Sequence, residues 1–308
     1  MESIAAIRQR VQPWQLLLCA GVCGYLSLSA ATHSLKTYHW FMLVVIPGAW
    51  LYRERMRRFF LDWAPMIAFW IVYDRLRLIQ PLLLDRVIVE QAYNLERWAF
   101  GWMAAGDLPA HAGRAWLAAL SGTAAGGFIS WGAQLVYLSH IFIVPLLMLF
   151  WWHADRNRER FLRHVRAFTA LHLLAISLYL LLPVAPPWWV SLHGFAPPSA
   201  ELLAQTRMSD AMDGALVERM IKTASLWFAA VPSLHGAYPV LLLLLGLGER
   251  RRGVLVLLGI YAAAMWAATV ILNQHYIIDL VAGAALATTA WLIFKPRSLS
   301  NLAPAPRR

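Results

Sequence analysis

Long apolar runs broken by short basic clusters set the pattern of this chain. The runs cover residues 14–31, 39–52, 60–79, 127–152, 168–183, 233–248, 254–272 and 276–294. Several approach the ~20 residues that carry a helix across a hydrocarbon core, and 39–52 is the shortest. The pattern predicts an all-α polytopic membrane protein with about eight transmembrane helices. It divides into N-terminal membrane helices at 1–59, a six-helix membrane bundle at 60–294 and a cytoplasmic tail at 295–308. Two longer stretches between runs, 80–126 and 184–232, mix Leu, Val, Trp and Phe with scattered charges such as Asp85, Arg86, Glu90, Glu96 and Arg97. These read as helices lying at the membrane interface.

Charge gives the runs an orientation. With the N-terminus inside, the inner segments hold Arg8 and Arg10; Arg53, Arg55, Arg57 and Arg58; Arg156, Arg158, Arg160, Arg163 and Arg166; Arg250 to Arg252; and Lys295, Arg297, Arg307 and Arg308. These are most of the 27 Lys and Arg, although the outer segments are longer. The positive-inside rule then predicts eight spans with both termini cytoplasmic. Removing one span would spoil the alternation. Arg8 and Arg10 before a short apolar core ending in Ser29-Ala30-Ala31 also fit a cleaved signal peptide; the first run is read here as a retained helix.

Composition narrows the class. Residues are 60% hydrophobic and 14% charged, and mean hydropathy is +0.55, values of a membrane protein rather than a soluble domain. The net charge of +11 comes without a long basic block interleaved with aromatics, which excludes nucleic acid as the expected partner. Lipids take that place. Tryptophans near run ends read as interfacial anchors, including Trp188 and Trp189 after Pro186 and Pro187, where the prolines end the fifth run. Cys19 and Cys23 share one run and read as small hydrophobes.

The chemistry concentrates at two run ends that this topology puts on the same, extracytoplasmic face. One is Val231-Pro232-Ser233-Leu234-His235-Gly236; the other is Gln274-His275-Tyr276-Ile277-Ile278-Asp279. His275 and Asp279 are four positions apart, so on a helix they share a face and the carboxylate can take the imidazole N–H. Two histidines, one of them oriented, suit phosphoryl or acyl transfer. The Pro-containing helix start at Ser233 offers backbone N–H groups to an anion. Asp74, Arg75 and Arg77 close the third run on the same side. Arg75, Arg77, Arg207, Arg219 and Lys222 are candidate clamps for phosphate oxygens, each weighed against an ordinary headgroup contact. His140 and His172 read first as structural hydrogen-bonders, with His140 also placed to line a cavity. His33, His39, His111, His153, His164 and His193 read as solvated. His235, His275 and Asp279 supply ligand types that suit zinc, yet no HExxH motif or cysteine pair supports a metal, and none is expected.

With those residues in hand, the chain resembles the type 2 phosphatidic acid phosphatase superfamily. Within it, it is most similar to the inositol phosphorylceramide synthase branch and its bacterial relatives. The resemblance is carried by Pro232-Ser233-Leu234-His235, by His275-Tyr276-Ile277-Ile278-Asp279 with Leu280, Ala282 and Gly283, by Ala185-Pro186-Pro187-Trp188 and by Tyr73-Asp74-Arg75. The substrate contacts read from the chain itself are Asp74, Arg75, Ser233, Lys222 and His140, and the resemblance implies that His275 is the nucleophile, Asp279 its orienting carboxylate and His235 the acid. It implies no metal or organic cofactor and a bacterial cytoplasmic membrane. The departures are informative. Lipid-phosphatase members carry Lys-x6-Arg-Pro and Ser-Arg-x5-His, but this chain has no Arg-Pro dipeptide and has Ala268 and Thr269 seven and six residues before His275. That points to transfer of an inositol phosphate-like headgroup between lipids. Hydrolysis of phosphatidate-like or polyprenyl phosphates is the alternative. A transporter or haem-bearing membrane protein is the alternative of another class, which would place paired histidines at one depth on facing helices or on broken helices near the midplane.

Overall fold

The computed structural model describes residues 11–32, 39, 42–154, 158–206, 226–247 and 252–295. Its elements are helices: α1 (Pro13–Ala31), α2 (Met42–Leu51), α3 (Arg53–Arg75), α4 (Glu90–Phe100), α5 (Pro109–Ala119), α6 (Ala124–Ala154), α7 (Arg158–Leu181), α8 (Pro187–His193), α9 (Ala200–Gln205), α10 (Leu234–Gly246), α11 (Arg252–Ile271) and α12 (Ile277–Phe294), with short 3-10 turns between α3 and α5. Each of the eight apolar runs contains a helix. Among the described residues, five of these are long and apolar enough to cross a membrane: α1, α6, α7, α11 and α12. The other three fall short for separate reasons. α2 has ten residues with Pro47 inside, α10 has thirteen, and α3 spends its first turns on Arg53, Glu54, Arg55, Arg57 and Arg58.

The chain falls into two compact units, Met1–Ala64 and Pro65–Arg308. In the first, Gln15 donates its amide to the Ala49 carbonyl at 2.9 Å, which ties α1 to α2. The second is built on α10 and α12 lying side by side, with α7 against α12, α11 against α10, and α6 and α5 against α11.

Two glycines explain how α10 and α12 approach so closely. A Cβ on Gly236 would lie 2.7 Å from the Leu280 Cα, and one on Gly283 would lie 2.1 Å from the Ser233 carbonyl oxygen. Neither neighbour is a flexible side-chain tip; both are backbone. The Ser233 N–H then donates to the Asp279 carbonyl at 2.9 Å, pinning the start of one helix to the first turn of the other.

Above this pair, three connecting segments are stitched together. Ile88 and Val184 form one isolated parallel bridge and Val184 and Ala229 another. The Ile88 N–H bonds the Pro183 carbonyl at 2.8 Å and the Val184 N–H bonds the Phe228 carbonyl at 2.9 Å. This fold-back corrects one expectation. Trp188 and Trp189 are 2% and 0% exposed, packed with Tyr137, Phe228 and Leu272, so they are core residues and not headgroup anchors. α7 ends at Leu181, ahead of Pro183, so Pro186 and Pro187 do not end it; they open α8, as its N-cap and first residue. His39 and His164, expected to be solvated, are buried as well.

If the α10–α12 contact sets the fold, Gly283→Ala should destabilise the protein by about 1–3 kcal/mol, the usual cost of overpacking. Gly259, whose Cβ would meet nothing within 4 Å, is the matched control. Thermal unfolding in detergent should show a clear fall for Gly283→Ala and none for Gly259→Ala.

Candidate active site

The approach to His275 begins at the C-terminus of α11. Asn273 has φ 57°, a left-handed conformation that Asn tolerates better than most residues. The Gln274 N–H bonds the Thr269 carbonyl and the Asn273 N–H bonds the Val270 carbonyl, both at 2.9 Å. This is the Schellman pattern of a helix end, and it reverses the chain so that the next residue, His275, points back over the bundle. Thr269 stands where lipid-phosphatase members have arginine. It is fully buried, and its hydroxyl bonds the Trp266 carbonyl at 2.8 Å, so the helix end packs where a cation would otherwise stand.

α12 starts only at Ile277, with Tyr276 extended as its N-cap (φ −70°, ψ 157°). His275 is therefore outside the helix. The expected contact with Asp279 forms, but across the helix start rather than along a helix face. Asp279 Oδ2 lies 3.2 Å from His275 Nδ1 and accepts the Tyr276 N–H at 2.9 Å. The same oxygen thus orients the imidazole and satisfies a donor at the helix start, as the N3 residue of a capping box does.

His235 sits in the first turn of α10, where Ser233 is the N-cap and its hydroxyl accepts the Gly236 N–H. The Tyr179 hydroxyl donates to the Pro232 carbonyl at 2.7 Å. His235 Nδ1 is 3.1 Å from His275 Nε2, so the three side chains form one line: His235, His275, Asp279. Hydrogen-bond logic assigns the protons. Asp279 accepts from His275 Nδ1–H, leaving Nε2 of His275 as an acceptor for the Nδ1–H of His235. Nε2 of His275 thus holds the lone pair a nucleophile needs. Both His275 nitrogens are already engaged, and among the described residues no group of three His, Cys, Asp or Glu is arranged to hold a metal.

Aromatic rings fix His235 from two sides. Tyr137 stacks on it at 4.2 Å and 17°, and His140 meets it edge-on at 4.2 Å and 71°. His140 Nδ1 is 2.6 Å from the Tyr137 carbonyl, so His140 both makes a structural hydrogen bond and flanks the site. Deeper in, His172 Nε2 bonds the Tyr238 hydroxyl at 2.7 Å.

The other expected substrate contacts are placed differently. Ser233 is fully buried with its hydroxyl engaged in capping. Asp74 and Arg75 pair with each other at 3.4 Å, and the adjacent Tyr73 and Leu76 pack in the cluster that contains Tyr179 and Leu234. Lys222, with Arg207 and Arg219, lies outside the described residues.

Glu96 is the residue that sequence reasoning missed. It has no exposed surface, and its two oxygens accept the N–H groups of Ile277 and Ile278 at 2.9 and 3.0 Å. A carboxylate from α4, 181 positions away, therefore fixes the N-terminus of the helix that follows His275. Such a pairing suits the positive end of a helix. Burial pushes the Glu96 carboxyl above the ordinary range, against the two backbone N–H groups that pull it down. In sequence it was one of several scattered charges, and no local spacing connects it to α12.

Comparison with known proteins fits this geometry. The PAP2 superfamily profile matches residues 107–293, a span that contains His235, His275 and Asp279 but not Asp74, Arg75 or Glu96. The chain is 28% identical over 275 residues to a phosphoinositol dihydroceramide synthase of Bacteroides thetaiotaomicron, covering 88% of each protein. It is 32% identical over 139 residues to an inositol phosphorylceramide synthase of Candida albicans, covering 43% of this chain and 29% of that protein. No solved structure matches.

Glu96→Ala strands the Ile277 and Ile278 N–H groups and should cost about 1–3 kcal/mol in stability. Glu96→Gln keeps an acceptor oxygen and should recover part of the loss. Paired melting curves of the two variants check this; equal and unshifted midpoints would contradict it.

Proposed function

The chain belongs to the PAP2 superfamily, and on that premise we propose that it is an integral membrane lipid phosphotransferase. In this reading it moves an inositol phosphate-like headgroup from a phospholipid to the hydroxyl of a second, ceramide-like lipid. The observation that carries the reading is the line His235–His275–Asp279, hydrogen-bonded at 3.1 and 3.2 Å. The names of the two relatives supply the substrate class.

The reaction runs in two balanced halves. A phosphodiester enters between the imidazoles and replaces their mutual hydrogen bond. His275 Nε2 attacks phosphorus and the P–O bond to the diacylglycerol oxygen breaks. His235, which must enter this step carrying protons on both nitrogens, gives one to that leaving oxygen and becomes neutral. Asp279 balances the positive charge that the N–P bond leaves on His275. In the second half, neutral His235 takes the proton of the acceptor hydroxyl, whose oxygen attacks phosphorus and releases His275. Tyr137 and His140 hold the His235 ring at the angle both halves require.

The membrane arrangement that goes with this chemistry is eight spans with both termini cytoplasmic and the histidines at the extracytoplasmic face. Residues 1–59 supply the first helices, 60–294 the catalytic bundle and 295–308 the tail. The clustering of Arg and Lys in alternate connecting segments supports this arrangement. The acceptor is chosen by access and water exclusion around His275 rather than by the three side chains themselves.

A radiolabelled panel of phosphatidylinositol, phosphatidate and polyprenyl phosphate, with ceramide or diacylglycerol added or withheld, tests the proposal on purified protein in lipid. The expected result is a new labelled lipid that requires both phosphatidylinositol and the ceramide-type acceptor, and that His275→Ala abolishes. Acceptor-independent release of inositol phosphate from phosphatidylinositol, or of phosphate from phosphatidate or polyprenyl phosphate, would overturn transfer in favour of hydrolysis.

A further inference from the structure

The start of α12 puts a positive helix end beside the residue on which the proposed reaction builds positive charge. The first N–H groups of an α-helix lack intrahelical partners, which together act as roughly half an elementary charge. His275 stands immediately before the N-cap, Tyr276. Its Nδ1 faces the helix start through Asp279 Oδ2 at 3.2 Å, and its Nε2 faces His235 at 3.1 Å. When Nε2 bonds phosphorus and Nδ1 keeps its proton, the ring becomes cationic. A bare helix end would oppose that charge at close range. His275 is 7% exposed and Asp279 fully buried, so water screens little of the opposition.

Asp279 alone does not neutralise this end. It takes the Tyr276 N–H at 2.9 Å and already faces the imidazole. The next two donors, Ile277 and Ile278, belong to Glu96, one to each carboxylate oxygen, at 2.9 and 3.0 Å. Capping as such needs no charge, because a neutral hydroxyl suffices. The start of α10 shows this, with Ser233 accepting the Gly236 N–H. The two catalytic helices thus differ at their starts in the sense the reaction needs. His235, in the first turn of α10, gives up its positive charge in the first half of the reaction, beside an end that is capped without charge. His275 acquires positive charge in that same half, beside an end that carries two carboxylates.

We infer that Glu96 is a positioning residue for the proposed transfer: acting through α12, it neutralises the helix start beside His275 so that the imidazole can hold positive charge while joined to phosphorus. This role rests on the reading of His275 as the nucleophile. It separates the two halves of the reaction. In the first, the N–P bond forms, the bond to the diacylglycerol oxygen breaks and the charge on His275 appears. In the second, the acceptor oxygen displaces His275 and the charge disappears. Loss of the Glu96 charge therefore slows formation of the adduct and does not slow its discharge. Mere displacement of His275 would slow both, since both need the ring in line with phosphorus.

The test times both halves on full-length protein in lipid, with phosphatidylinositol labelled in its headgroup and each variant held below its melting midpoint. Adduct on the His275 peptide is followed first without acceptor, then after a ceramide-type acceptor is added. Glu96→Gln should form adduct about tenfold more slowly, within the reach of a helix end on a buried imidazolium. It should show the wild-type dependence on phosphatidylinositol concentration and discharge at least as fast as wild type. Glu96→Asp keeps the charge on a shorter side chain and should form adduct faster than Glu96→Gln even where the two are equally destabilised. Glu90→Gln, which removes the same charge from the exposed start of α4, should change neither rate. Unchanged formation in Glu96→Gln, equal slowing of both halves, or a Glu96→Asp variant as slow as Glu96→Gln would overturn the role and leave Glu96 a structural cap. Wild-type protein that makes product lipid with no adduct on His275 would instead overturn the proposed nucleophile, and the role of Glu96 with it.

Discussion

The close approach of α10 and α12 is the constraint on which the rest of the structure depends. Gly236 lies against the Leu280 backbone and Gly283 against the Ser233 carbonyl, and the Ser233 N–H closes the contact on Asp279. Because both histidines sit at the starts of these helices, the helix contact fixes the distance between the imidazoles. Any side chain in place of either glycine pushes the helices apart, and the histidine pair opens with them. Packing at the glycines and chemistry at the histidines are thus one geometric fact.

The site also solves an electrostatic problem without arginine. Asp279 and Glu96 are both fully buried, yet the described part of the site pairs neither with a fixed cation. Each is held by hydrogen bonds: Asp279 by the Tyr276 N–H and the His275 ring, Glu96 by the Ile277 and Ile278 N–H groups. Three successive backbone donors at the start of α12 are thereby consumed by carboxylates. That helix end cannot also serve as a phosphate cradle, in contrast to the anion sites many helix N-termini provide. In the proposed reaction, phosphate oxygens would therefore take their donors from elsewhere around His235.

Much of this was legible in the chain. All eight apolar runs contain helices, and the two histidine motifs meet, with His235 and His275 hydrogen-bonded at 3.1 Å. What spacing could not convey is where helices begin. The interval of four between His275 and Asp279 reads as a helix face, but the extended Tyr276 turns it into a capping arrangement. Among the described residues five helices have the length and apolarity of a span by themselves; a run counts apolar residues without seeing Pro47 in α2, the charged first turns of α3 or the short α10. Glu96, Tyr137 and the burial of Trp188 and Trp189 were invisible because each depends on contacts between segments far apart in sequence. Their residue types alone suggest interface anchors or solvated charge.

The central claim is that His275 Nε2, freed as an acceptor by the bond from Nδ1 to Asp279, attacks phosphorus directly. The most direct measurement is rapid acid-free quenching of the protein with phosphatidylinositol and no acceptor, followed by peptide mass spectrometry. The account predicts an acid-labile phosphoramidate adduct on the peptide containing His275, absent from His275→Ala and discharged when a ceramide-type acceptor is added. Full turnover with no such adduct, or an adduct carried by another residue, would contradict it.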